Sequence, residues 1–320
     1  MTPAVTLPAV GFIGIGKMGL PMVAHLRRAG YAVNVYDTQP ANALQAQVLG
    51  CTVSETLGGC ASQADVLFSS MPNDAALEAI TGADGVFAQA KPGMIYVDTS
   101  TVSAAVSSRV AERGAVAGAS KAPGAATAAG AAAILDASGV PYVRCTVSGN
   151  PVTARAGNLT VMASGPRAAY DTVKPLLETF GKTHFYLGEG EQARVIKLVI
   201  NLMVAVTAGM MGEALTLGEK SGLDWKQMLE IIGKSAVGSP LVGYKVPPLL
   251  ERDYASTFSG MQMIKDLDLI LGQGAATHTP LPLTALMRQH YDAIAAQGDG
   301  ELDYIATVRL MERMAGLKQS

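Results

Sequence analysis

The sequence predicts an α/β chain: a doubly wound parallel sheet, followed by an all-α domain that a long interdomain helix begins. Three observations lead there. Short β-rich apolar runs alternate with helical patterns through the first half, as in a parallel sheet covered on both faces. A glycine-rich turn joins the first run to the first helix. Strand signals stop near Glu191, and helical patterns fill the rest of the 320 residues.

Residues 10–15, 32–36, 66–71 and 94–98 read as successive buried strands, with residues 20–29 as the first helix and further helical stretches between the others. Residues 142–147 and 159–163 extend the sheet, 168–180 read as a helix, and 184–187 as a last short strand. Residues 191–221 read as one helix, which at ~1.5 Å per residue spans about 45 Å and could leave one domain to found another. Gly222 is a suitable stop. Later helices are expected over 225–233, 244–252, 262–273, 283–297 and 303–315. The expected domains are 1–189 and 190–320. Within the first lies a run of Ala and Gly over 114–133, without amphipathic period, which reads as a flexible surface insertion.

Composition narrows the function classes. A net charge of −2 argues against a nucleic-acid partner, which would usually need a basic surface, and 49% hydrophobic against 16% charged residues argues against disorder. Cys51, Cys60 and Cys145 have no CxxC spacing and read as reduced thiols. No basic region followed by an apolar stretch and cleavage site opens the chain, so a cytoplasmic location is expected. Residues 198–212 carry no formal charge but fall short of the roughly 18–20 apolar residues that span a bilayer. They read as a buried helix, with a helical core or a subunit interface to absorb the apolar excess. Met203, Met210 and Met211 on it read as core or interface filler. The four histidines (His25, His184, His278, His290) are scattered, so no metal site is expected.

The glycine-rich turn is Gly14-Ile15-Gly16-Lys17-Met18-Gly19. GxGxxG is weak alone, but here it ends a strand and opens a helix, the context a dinucleotide loop requires. Gly14 permits the turn, Gly16 lets backbone approach a pyrophosphate, and Gly19 lets helix and strand pack closely. The helix N-terminus then offers free N–H groups to the phosphates. Asp37 ends the second strand, where a carboxylate can accept from both ribose hydroxyls and would repel a 2′-phosphate. Thr38, Gln39 and Pro40 bring no cation to neutralise one. The expected first domain is therefore Rossmann-type, and NAD is favoured over NADP.

Residues 11–22, GFIGIGKMGLPM, resemble the opening of the 3-hydroxyisobutyrate dehydrogenase (β-hydroxyacid dehydrogenase) family, which includes tartronate semialdehyde reductases. Further blocks follow in the family's order. Met71-Pro72-Asn73 resembles its Met/Leu-Pro turn, and Asp98-Thr99-Ser100-Thr101 its D-x-S-T segment. Val147-Ser148-Gly149 resembles its V-S-G, residues 158–162 part of its G-x-L-x-x-M strand, and Lys197 with Asn201 its K-x-x-x-N. Phe258 with Lys265-Asp266-Leu267 resembles its late F and K-D-L block. The resemblance covers nearly the whole chain apart from the insertion. It implies cofactor contacts from the glycine loop, Met71, Pro72, Thr101 and Lys265, substrate contacts from Ser148, Gly149 and Asn201, and catalysis by Lys197. It also implies a homodimer or homotetramer. Asn150-Pro151, Thr146, Ala104 and Glu191-Gln192-Ala193 depart from the family's pattern, and Asn150 stands at the expected substrate wall.

The residues themselves support that chemistry. Hydride transfer to a carbonyl needs a proton donor within hydrogen-bond reach. Lys197 lies in an apolar stretch early on the long helix, where desolvation favours the neutral amine. Asn201 is four residues on, hence on the same face. Ser148 and Gly149 follow a strand whose end should lie at the carboxyl edge of the sheet, where ligands bind. The expected activity interconverts a small 3-hydroxy acid and its semialdehyde or keto form. Three alternatives compete with it. An imine reductase would have another residue at the lysine and usually favours NADPH. A phosphogluconate dehydrogenase needs a larger helical domain. A catalytically silent NAD-binding module would have no reason to keep Lys197 and Asn201 together.

Overall fold

The computed structural model describes residues 7–119 and 139–317. In chain order the first half runs β1 (Val10–Ile13), α1 (Gly19–Arg28), β2 (Val33–Tyr36), α2 (Pro40–Val48), β3 (Thr52–Val53), α3 (Leu57–Gln63), β4 (Val66–Ser69), α4 (Asp74–Ile80), β5 (Ile95–Asp98) and α5 (Ala104–Ala119). Then come β6 (Tyr142–Ser148), α6 (Pro151–Arg155), β7 (Leu159–Ser164), α7 (Arg167–Leu177) and β8 (Gly181–Tyr186). The helical part comprises α8 (Gln192–Lys220), α9 (Trp225–Lys234), α10 (Pro240–Leu250), α11 (Gly260–Ala276), α12 (Pro282–Ala296), a 3-10 turn (Tyr304–Ala306) and α13 (Thr307–Met314).

Among the described residues the strands form one sheet in the order β3-β2-β1-β4-β5-β6-β7-β8. All neighbours are parallel except β6 and β7. Only residues 149–158 separate those two, too few for the crossover that parallel pairing needs. Side chains alternate between the two faces of the sheet. Phe12, Phe68 and Val97 enter one hydrophobic core, while Ile13, Leu67 and Tyr96 enter another. Two buried faces explain why these strands are apolar throughout. The register aligns Tyr36, Ile13, Ser69, Asp98 and Arg144 in one row across five strands. The segments that follow the first four therefore leave the sheet at a common carboxyl edge.

The Ala/Gly run is not a loop from its start. α5 continues through residues 114–119, where buried Gly114 accepts at its carbonyl from Val140 N–H at 2.8 Å. Alanine's helix propensity sustains the helix without an amphipathic pattern. The remainder of the expected insertion lies outside the described residues.

The chain divides into two compact units, Met1–Lys197 and Leu198–Ser320. The division falls inside α8, whereas the sequence placed the boundary at 189/190, just before that helix. In the second unit Leu198, Ala205, Ala208, Met211 and Leu215 of α8 join a core with Leu229, Leu249, Met263 and Tyr291. By length and composition α8 would suffice to cross a membrane. Its buried residues recur at helical spacing, as on a helix packed along one stripe of a globular core. It is not buried all round: Met203 is 63% exposed and Leu217 70%.

Candidate active site

The turn between β1 and α1 has the geometry a dinucleotide needs. Gly14 has φ +79°, and a Cβ there would stand 2.5 Å from the Ser70 carbonyl oxygen. At Gly19 a Cβ would stand 2.3 Å from the Gly14 carbonyl oxygen, so helix and turn pack backbone against backbone. At Gly16 nothing lies within 4 Å, which leaves room for a ligand. Met18 precedes α1 and makes no side-chain cap; Leu20 N–H donates to the Gly16 carbonyl at 3.0 Å and Pro21 has no N–H, so in the first turn an anion would rely on the Gly19 N–H and the helix dipole. These residues fit a pyrophosphate. Asp37, just past β2, is fixed at the same edge. Its Oδ2 accepts from Ile15 N–H and its Oδ1 from Gln39 N–H, both at 2.8 Å.

The segments after β4 and β5 are tied together. Met71 N–H donates to Ser100 Oγ at 2.7 Å, and Ser100 Oγ donates in turn to Asp98. Ser69 Oγ donates to the same carboxylate, and the Thr99 hydroxyl donates to the Ser69 carbonyl at 2.8 Å. Met71 and Thr101 thus flank a fixed hydrogen-bonded loop pair.

At the centre of this network is Arg194, which the sequence reading passed over. It lies in the first turn of α8 and is 1% exposed. Its guanidinium forms an ion pair with Asp98 and donates to the Ser100 carbonyl, to the Tyr142 hydroxyl at 2.6 Å and to Ser107 Oγ at 3.3 Å. Burial opposes its charge, but Tyr142 and Asp98 outweigh that and raise its pKa further. Burial pushes the Tyr142 phenol up to about 12, with Arg194 opposing, so it stays protonated. Removing one member of such a pair costs about 3–5 kcal/mol, because the other charge stays buried. In the sequence Arg194 stands between Ala193 and Val195 in a mixed polar and apolar stretch, with nothing local that marks it as buried.

More bonds hold the same turn. The Thr146 hydroxyl on β6 donates to the Ala193 carbonyl at 2.7 Å. Ser164 Oγ donates to the Gly190 carbonyl at 2.7 Å and accepts from Ala193 N–H at 3.2 Å. Arg144 donates from Nε to Glu191 at 2.8 Å. Lys197 follows Arg194 by three residues on α8 and is half-buried.

Ser148 closes β6, parallel to β5. Gly149 has φ +140°, and a Cβ there would lie 2.5 Å from Thr153 Oγ1, so no other residue fits without displacement. Asn150 caps α6. Its side-chain oxygen accepts from Val152 and Thr153 N–H at 2.9 and 3.0 Å. That oxygen is therefore committed to the fold, a role the sequence reading did not assign it.

In the second unit, Asn201 is buried and donates from Nδ2 to Asp266. Lys265 Nζ lies 2.7 Å from the other oxygen of that carboxylate. Asn201 and Lys265 thus share one buried acid. Among the described residues no three His, Cys, Asp or Glu side chains gather as for a metal.

The comparisons with known proteins agree with this geometry. Residues 9–122 and 116–188 match the family described as the NAD binding domain of 6-phosphogluconate dehydrogenase. Residues 191–311 match the NAD-binding family of NADP-dependent 3-hydroxyisobutyrate dehydrogenase. The 2-(hydroxymethyl)glutarate dehydrogenase of Eubacterium barkeri is 32% identical, over 97% of both chains. The 3-hydroxyisobutyrate dehydrogenase of Pseudomonas aeruginosa is 31% identical, over 94% of this chain and 97% of its own.

The chain belongs to the 3-hydroxyisobutyrate dehydrogenase family.

It is an NAD(P)-dependent hydroxy-acid oxidoreductase. The Mycobacterium tuberculosis 3-hydroxyisobutyrate dehydrogenase solved with L-serine superposes with a TM-score of 0.79 at 25% identity, covering 95% of this chain and 99% of that one. Two departures from the family's blocks find partners here: Thr146 bonds the start of α8, and Glu191 pairs with Arg144.

Proposed function

We propose that the protein interconverts a small 3-hydroxy acid and its semialdehyde or keto form, of the 3-hydroxyisobutyrate or tartronate semialdehyde type, with NAD(H) as cofactor and Lys197 as general acid/base. The observation that carries this reading is the fixed start of α8. The turn before Lys197 is bonded to β6 through Thr146 and to the segment after β5 through Arg194. That places the lysine-bearing turn beside segments that leave the carboxyl edge of the sheet.

Bound NAD(H) supplies the hydride donor or acceptor. Lys197 gives its proton to the carbonyl oxygen during reduction and takes it back from the hydroxyl during oxidation. The Ser148 hydroxyl and the backbone at Gly149 suit the substrate carboxylate. Family likeness assigns Thr101 and Lys265 cofactor contacts and Asn201 a substrate contact. Asp37 supports NAD over NADP: its carboxylate is held in place by Ile15 and Gln39, and a 2′-phosphate would meet its charge. Lys197 and Asp37 together weigh against an imine reductase, and a silent NAD-binding module would need neither Lys197 nor Asn201.

The same reading places the enzyme in the cytoplasm, where three unpaired, buried cysteines are at home. It also includes association with a second copy of the chain, through the exposed Val199, Met203, Met210 and Leu217 of α8. Light scattering at micromolar concentration should show at least a dimer.

The test is oxidation of NADH and NADPH against a panel of small semialdehydes and keto acids. Turnover with a hydroxy-acid partner and a preference for NADH is expected. Tight NADH binding without turnover on any member would favour the silent module.

A further inference from the structure

The strongest unassigned feature is the buried pair Arg194–Asp98. Its contacts reach in two directions. Toward the cofactor, Asp98 accepts from Ser100 and Ser69, and Ser100 accepts from Met71 N–H, beside the glycine turn. Toward the catalytic helix, Arg194 stands one turn before Lys197. The guanidinium holds Asp98, the Ser100 carbonyl, Tyr142 and Ser107 at once, and its side chain is fully buried. A core filled for stability alone would need none of these charges. A buried pair is often no more stabilising than apolar residues of the same volume, but it fixes direction and register.

We propose that Arg194 and Asp98 are positioning residues, which set the distance between the Lys197 turn and the segments after β4 and β5 on the nicotinamide side. This rests on the reading of Lys197 as the acid/base. Four fixed donor contacts in one planar fork leave the start of α8 little freedom to slide or rotate. Arg194's donors are taken up by Asp98, Ser100, Tyr142 and Ser107, so in this reading it acts through Lys197 and through Ser100.

The experiment compares wild type, Arg194→Lys, the balanced double variant Arg194→Met/Asp98→Asn, and Lys197→Ala. For each, kcat, KM, the NADH dissociation constant, the melting temperature and the isotope effect with 4-deuterated NADH are measured. Lysine keeps a charge opposite Asp98 but cannot reach the other acceptors together, so Arg194→Lys should fold with a lowered melting temperature. Its kcat should fall ~10- to 100-fold, the scale for a displacement of about 1 Å at a reacting centre. The double variant leaves no uncompensated charge and should also fold, with a similar loss of kcat and an isotope effect larger than wild type. A double variant with wild-type kcat and isotope effect would overturn the proposal, because the pair would then be filler. Near-normal turnover in Lys197→Ala would instead overturn the acid/base reading, whatever the Arg194 variants do.

Discussion

The glycine turn allows a prediction in which fold and ligand are read separately. Gly19→Ala places a Cβ 2.3 Å from the Gly14 carbonyl oxygen, where real Cβ contacts do not fall below 3.0 Å. The neighbour is backbone, so the turn or the helix must move by about 0.7 Å or more. Displacement on this scale at a close-fitting site costs up to ~10² in binding or rate. Gly16→Ala is the counterpart, because its Cβ meets nothing within 4 Å. It should leave the melting temperature within about 2 °C of wild type, consistent with a change below ~0.5 kcal/mol. Its methyl group, however, stands where the pyrophosphate must approach the backbone. NADH affinity, followed by fluorescence titration, should fall at least ~10-fold in Gly16→Ala with stability unchanged. In Gly19→Ala, affinity and melting temperature should fall together. Unchanged NADH affinity in Gly16→Ala would refute the placement of the cofactor on this turn.

Other expectations follow from single contacts. Asp37→Asn removes the charge that a 2′-phosphate would meet, so the ratio of kcat/KM for NADPH over NADH should rise ~10-fold or more in steady-state assays. Lys245 and Asp303 form a buried pair at 2.6 Å, and Asp303 also accepts from Thr257 and Ile305. Lys245→Met should cost about 3–5 kcal/mol in urea unfolding, and adding Asp303→Asn should recover part of it. Burial pushes the thiols of Cys60 and Cys145 up to about 12, so at pH 8 roughly one in 10⁴ would be thiolate. Disulfide reagents should label them slowly in the native enzyme and reach all three cysteines only after denaturation.

The parts of the fold that were legible share one cause: apolar residues in one pattern. β1, β4 and β5 are buried on both faces and stand out as continuous runs. The ends of β1 and β4 overshoot in the sequence reading because Ile15 and Met71 are apolar but lie in the loops that follow the strands. β3 was invisible, being two residues long and half-polar. α6 was missed because its start rests on the capping box of Asn150 and Thr153, a signal of local hydrogen bonding and not of hydrophobic period. The antiparallel turn of β7 depends on the length of a connection and leaves no mark on the strand itself.

The site divides the same way. The glycine turn, Asp37 and Lys197 are local or motif-borne and can be found by reading along the chain. Arg194 is not, because its meaning lies in Asp98, Ser100 and Tyr142, all distant in sequence. Thr146 and Glu191 look like separate departures from the family's blocks. In the structure one bonds the start of α8 and the other pairs with Arg144, so both fix the same turn.

The most direct test of the account is the turnover of Lys197→Ala on the best substrate of the panel, with NADH binding measured on the same preparation. NADH affinity is expected near wild type and turnover reduced ~10²-fold or more, the usual scale for loss of an acid–base group. Near-normal turnover in that variant, with the protein folded and NADH bound, would contradict it.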